Sequence, residues 1–124
     1  MKKAADELPA EQLRRVLPGC KTRSKAWCVK CGKECPISHT DVHRAGTPCV
    51  DHSTFNQNRQ AFDGSKAKLF YLWVAFMFTV RPMVIFHENV TSFGEAELRD
   101  HLGKVYVIVR IVTFPSHLGS LKEL

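Results

Sequence analysis

The chain has 124 residues, 44% hydrophobic and 24% charged, a composition that excludes a disordered tail and fits a globular domain. At this length about two thirds of the unfolded surface can be buried, which allows one core and excludes a complete two-lobed enzyme. The net charge of +6 makes a polyanion a natural partner.

Residues 4 to 17, AADELPAEQLRRVL, read as a short helix with acidic residues early and Arg14 and Arg15 late, as the helix dipole favours. Pro18-Gly19 ends it. The opening MKKAADELPAEQL holds no apolar signal region, and the five cysteines are an odd number, so a reducing intracellular compartment is expected. Residues 14 to 33 hold seven basic residues and no acidic one. That stretch is either a solvated basic face or a nucleic-acid contact. Residues 20 to 40, rich in Cys, Lys and Ser, read as a loop or a small knuckle.

From residue 42 the pattern turns regular. VHRAG, residues 42 to 46, is a short strand that runs into a loop at Pro48-Cys49, followed by a polar stretch. A helix is predicted from 65 to 80, with Ser65 as its N-cap and Arg81-Pro82 as its stop. Its apolar run LFYLWVAFMFTV is 12 residues long, against about 20 for a membrane span, so no membrane partner is expected. MVIFH, residues 83 to 87, is a continuous apolar run of strand length. A turn over 89 to 94 leads to a helix from 95 to 102, closed by Gly103 as a C-cap. VYVIVRIVTF, residues 105 to 114, is predicted as the strongest strand. The order strand, helix, strand, helix, strand predicts an α/β fold with a parallel sheet.

Functional groups gather at the carboxyl ends of such strands. Cys49 follows the first strand and Glu88 ends the second. Their separation in sequence suits one loop, one crossover helix and a return strand, so both fall at the same edge of the sheet. The alternatives are an inert buried thiol and a surface carboxylate.

GTPCVDHS followed by RPMVIFHENV resembles the Pro-Cys loop and the Glu-Asn-Val motif of the C5 cytosine DNA methyltransferases, from about Asp41 to Val90. HLGKVYVIV and TFPSHLGS look like the next strand and loop of that family. The resemblance implies a partial Rossmann-like methyltransferase fold over residues 41 to 124, preceded by a helix and a basic Cys-rich segment over 1 to 40. It implies Cys49 as the nucleophile that adds to carbon 6 of a flipped cytosine and Glu88 as the acid at ring nitrogen 3, in a partly buried setting that keeps it protonated. Pro48, Ser53, Asn89 and Val90 match positions that shape the substrate pocket. The implied methyl donor is S-adenosylmethionine and the implied partner is DNA, which places the protein in the nucleus if it is eukaryotic. Val50 and His52 stand where the family usually has Gln and Phe. The seven glycines form no G-x-G loop for the donor. No Gln-x-Arg-x-Arg segment follows PSHLGS, and no target recognition domain. The resemblance is therefore to an internal piece, expected to be inactive alone: either a truncated gene product or one half of a split enzyme, whose cofactor half and recognition domain a complementing chain would supply.

Cys28, Cys31, Cys35 and His39 carry the spacing of a zinc site, with His43 and Cys20 as further candidate ligands. A reduced Cys-rich loop is the alternative. A zinc knuckle in this basic run suggests a second function, noncatalytic binding of nucleic acid. His52, His87, His101 and His117 lack metal spacing. His87 is expected to be structural and to face away from Glu88 across the sheet.

Overall fold

Pro9 divides the stretch read as one N-terminal helix. The computed structural model describes residues 4–17, 19–20, 22–49, 57–58, 62 and 66–114. A single 3-10 turn covers Ala5–Glu7, and α1 runs over Ala10–Val16 with Pro9 at its N-cap. Proline offers no N–H and drives Leu8 to an extended ψ of 141°, so the first turn cannot continue into α1. Glu11 opens α1, and Arg14 and Arg15 close it, in the order the dipole favours.

The segment read as a loop or knuckle holds an antiparallel hairpin. Strand β1, Lys25–Cys28, pairs with β2, Lys33–Pro36, from Lys25 beside Pro36 to Cys28 beside Lys33. Gly32 closes the turn at φ 63° and donates its N–H to the Cys28 carbonyl at 2.8 Å. Nothing lies within 4 Å of a Cβ built there, so the left-handed backbone, not a lack of room, favours glycine. The strands are short and charged, with no apolar alternation, which hid them in the sequence.

The parallel pair matches expectation. Strand β3, Val42–Gly46, lies beside β4, Val84–Glu88, in register from Val42 beside Val84 to Gly46 beside Glu88. Between them α2 spans Ala67–Val80. It buries Ala67, Phe70, Tyr71, Val74 and Ala75, the spacing of one helical face, together with Met77. These residues form the core with Ala5, Leu13 and Leu102, so both sides of position 40 contribute to it. Lys66 is the N-cap and makes no side-chain capping bond; Ser65 lies outside the described residues. At the other end Arg81 adopts φ 51°, ψ 55°, its N–H reaches the Met77 carbonyl at 2.9 Å, and Pro82 prevents continuation. None of the described helices is long and apolar enough to cross a membrane.

Helix α3 covers Glu95–Leu102, as its sequence predicts. Gly103 closes it as the C-cap, as expected, in right-handed backbone at φ −62°. Its Cβ would fall 2.4 Å from the Arg99 carbonyl oxygen, so close approach selects glycine. Glu97, 8% exposed, joins all three helices. It accepts from Tyr71 Oη at 2.8 Å and from Arg14 Nη2 at 2.7 Å, and lies 3.3 Å from His101 Nε2. Burial pushes its carboxyl up, but the bonds from Tyr71 and Arg14, the charge of Arg14 and the His101 contact together pull it below its ordinary value.

The strand predicted over 105 to 114 does not form. Lys104 and Val105 lie in the turn after α3, and residues 107–114 carry no ladder. Val107 is 95% exposed. Side chains take the contacts a neighbouring backbone would supply: Arg99 Nη1 reaches the Ile108 carbonyl at 3.4 Å, and Arg110 Nη2 reaches the Thr91 carbonyl at 2.7 Å. Tyr106 Oη anchors the segment to the Pro82 carbonyl at 2.8 Å. Among the described residues the parallel sheet therefore has two strands, and the fold is mixed α/β.

Candidate functional site

The register of β3 and β4 determines what shares an edge. Because Gly46 stands beside Glu88, Thr47-Pro48-Cys49 and Asn89-Val90 leave the sheet at the same carboxyl end. Alternation then sorts the side chains: His43, Ala45, Ile85 and His87 are partly covered, while Val42, Arg44, Val84, Phe86 and Glu88 are exposed. Trp73 on α2 donates to His43 Nε2 at 3.2 Å and stacks on His87 with ring centroids 4.7 Å apart. His87 thus faces away from Glu88 and serves packing.

A polar network ties the two loops together. Asn89 Nδ2 donates to the Thr47 carbonyl at 3.2 Å and to Thr47 Oγ1 at 3.1 Å, while Asn89 Oδ1 accepts from the Val90 N–H at 2.9 Å. Thr47 Oγ1 lies 2.8 Å from His87 Nε2. Burial pushes the His87 pKa down and favours its neutral ring beside the Thr47 hydroxyl, whose oxygen accepts from Asn89. The backbone immediately before Pro48-Cys49 is held from β4. Pro48 is half-buried, and Cys49 is a free, exposed thiol, not a buried one.

Glu88 does not have the partly buried setting expected of a protonated acid. Its side chain is 75% exposed and lies 3.3 Å from Arg44 Nη2, itself 79% exposed. A cleft of about 600 Å³ lies along β4, between it, α3 and residues 108–113, and is large enough for a nucleobase. Glu88, Asn89, Val90, Glu95 and Arg110 line it; Cys49 does not. Sequence reasoning missed Thr47, Arg44 and Trp73. For Arg44 a signal was present, since it shares the even-numbered face of its strand, as Glu88 does on β4.

At the hairpin, the Sγ atoms of Cys28, Cys31 and Cys35 lie within 4.8 Å of one another, and this cluster could hold a metal ion. The backbone N–H of Cys31, then its thiol, donate to Cys28, as does the N–H of Lys30, and hold that thiol below its ordinary value; Cys31, donating to Cys28 and Cys35, is pushed up. His39 is not in this cluster: Nδ1 lies 3.0 Å from the Val80 carbonyl and Nε2 3.5 Å from Asp41 Oδ1. His43 is engaged by Trp73, and Cys20 is half-buried against the core. Ser53, Val50, His52 and His117 lie outside the described residues.

Among the described residues, the ends of β3 and β4 carry Pro48-Cys49 and Asn89-Val90 and no glycine-rich turn of the kind that holds a methyl donor. No protein-family model, curated protein or solved structure matches the chain.

Proposed function

We propose that this chain carries the nucleophile and acid of a C5 cytosine methyltransferase. What supports this reading is one relationship: the Pro-Cys loop and the Glu-Asn-Val segment leave the same edge of a parallel pair, fastened by Asn89 and Thr47. Cytosine is unreactive at carbon 5. A thiolate from Cys49 adding at carbon 6 opens the double bond between carbons 5 and 6 and makes carbon 5 nucleophilic, while the displaced electron density collects on nitrogen 3. There a proton shared with Glu88 stabilises the adduct. The thiolate, not the thiol, is the nucleophile in this step. A pyrimidine seated over Glu88 would supply the burial that the free carboxylate lacks and favour proton sharing.

The target base has to leave a duplex to reach these groups. S-adenosylmethionine would come with a complementing chain, and this chain alone would not methylate DNA. DNA containing 5-fluorocytosine, given donor and a complementing half, tests the reading. A covalent adduct that disappears in Cys49→Ser supports it; an adduct that survives the change removes Cys49 from the chemistry.

A second reading is favoured by the hairpin, where Lys25, Lys30 and Lys33 are exposed around the three thiols. There the chain acts as a noncatalytic nucleic-acid-binding module, with zinc the ion of the knuckle. Binding that weakens steeply with salt and is indifferent to Cys49→Ser supports it.

A further inference from the structure

We propose that the β1–β2 hairpin is a three-thiolate zinc site, with Cys28, Cys31 and Cys35 as its protein ligands and a fourth position open to solvent. The geometry is close to the bound one. Zinc bonds thiolate at about 2.3 Å, which places sulfurs in a tetrahedral set about 3.8 Å apart. The three Sγ atoms already lie within 4.8 Å of one another, close to that spacing. The turn that gathers them is built on Gly32 at φ 63°, and the N–H groups of Cys31 and Lys30 already point at Cys28, as outer-shell donors to a bound thiolate do.

The hairpin also needs something to hold it. No residue from Thr22 to Asp41 is buried; Trp27 is 67% exposed and Val29 91%. An isolated two-stranded hairpin is at best marginal in water, and metal binding supplies folding free energy where a core cannot. Three soft sulfur ligands select zinc over magnesium or calcium. A zinc ion with three thiolates carries one negative charge, and Lys25, Lys30 and Lys33 offset it.

Among the described residues no protein ligand takes the fourth position. His39 is engaged by Val80 and Asp41, and the other described cysteines and histidines are outside the cluster. Cys31 is exposed, so the ion's open side faces water. This inference deepens the second reading, whose knuckle it makes a three-thiolate site, but its test measures metal content alone, so it can fail or hold independently of nucleic-acid binding and of Cys49.

Full-length chain, reduced and stripped with chelator, is titrated with zinc and with cobalt(II). One equivalent of metal is expected, with the near-ultraviolet absorption of cobalt thiolate. Cys28→Ser and Cys35→Ser should each weaken binding by more than about 100-fold, beyond the loss typical of outer-shell changes, while His39→Ala leaves it unchanged. Zinc should also protect the three thiols of the wild-type chain from alkylation, which does not depend on any variant folding. Substoichiometric zinc, alkylation indifferent to zinc, or a His39→Ala loss as large as that of a cysteine variant overturns the proposal.

Discussion

The side-chain amide of Asn89 donates to both the carbonyl and the hydroxyl of Thr47, at 3.2 and 3.1 Å, and so fastens the backbone before Pro48-Cys49 to the end of β4. Asn89→Ala removes both bonds and leaves Thr47 half-buried with one fewer partner. The variant should lose about 1–2 kcal/mol by chemical denaturation. Thiol alkylation by mass spectrometry should show Cys49 reacting at an altered rate while Cys20 does not.

His87 links stability to pH with a definite sign. Its folded pKa lies below its ordinary value because burial disfavours the charged ring, so the unfolded chain binds the proton first. The contribution is fully present above the ordinary histidine value of about 6.5 and is lost as pH falls through that value toward the folded one. His87→Phe keeps an aromatic ring on Trp73 and removes the titration. Between pH 7 and 5 its denaturation midpoint should fall less steeply than that of the wild-type chain; identical slopes would remove His87 as the cause.

Glu97 holds three helices through one carboxylate. Glu97→Ala removes the acceptor of the fully buried Tyr71 hydroxyl's 2.8 Å bond and should cost about 1–3 kcal/mol. Arg14 is 47% exposed, so its half of the interaction contributes less than a buried pair would. Glu97→Gln keeps an acceptor for Tyr71 and should recover a good part of the loss. Because the folded carboxyl titrates below its ordinary value, this contribution is present above the usual carboxylate range and disappears on acidification through the folded value.

Arg81 sits at φ 51° at the end of α2, a conformation that costs a side chain roughly 1 kcal/mol relative to glycine. Arg81→Gly should therefore raise stability by an amount of that order, although it removes the guanidinium bond to the Phe78 carbonyl, which is long at 3.4 Å. A lower denaturation midpoint in the glycine variant would mean that this bond outweighs the backbone cost.

Strong periodicity made part of this fold readable. The apolar positions Phe70, Tyr71, Val74 and Ala75 repeat at helical spacing, and MVIFH is too short and too apolar for anything but a strand. Where periodicity was weak or lacked a partner, the reading failed. Residues 105 to 114 alternate well, but a strand exists only against another backbone, and here the Ile108 carbonyl meets the Arg99 side chain instead. KAWC and KECP alternate poorly, and their pairing depends on Gly32, a turn signal that was read only as part of a loop. Shared placement of Cys49 and Glu88 at one strand end was legible, since it needs only parallel pairing. The exposure of Glu88 and its contact with Arg44 were not, because no described element covers that face of the sheet.

The measurement that bears most directly on the cytosine chemistry needs no methyl donor. Addition of Cys49 at carbon 6 makes carbon 5 basic, so it takes a proton from solvent; loss of the original hydrogen and of the thiolate restores the ring with that hydrogen exchanged. Full-length chain is incubated in deuterated buffer with a single-stranded, cytosine-containing oligonucleotide, which needs no base flipping. We expect deuterium at carbon 5 above the buffer background, none in Cys49→Ser, and a rate about 100-fold lower or more in Glu88→Gln. Exchange that persists in Cys49→Ser, or none from the wild-type chain, contradicts the account.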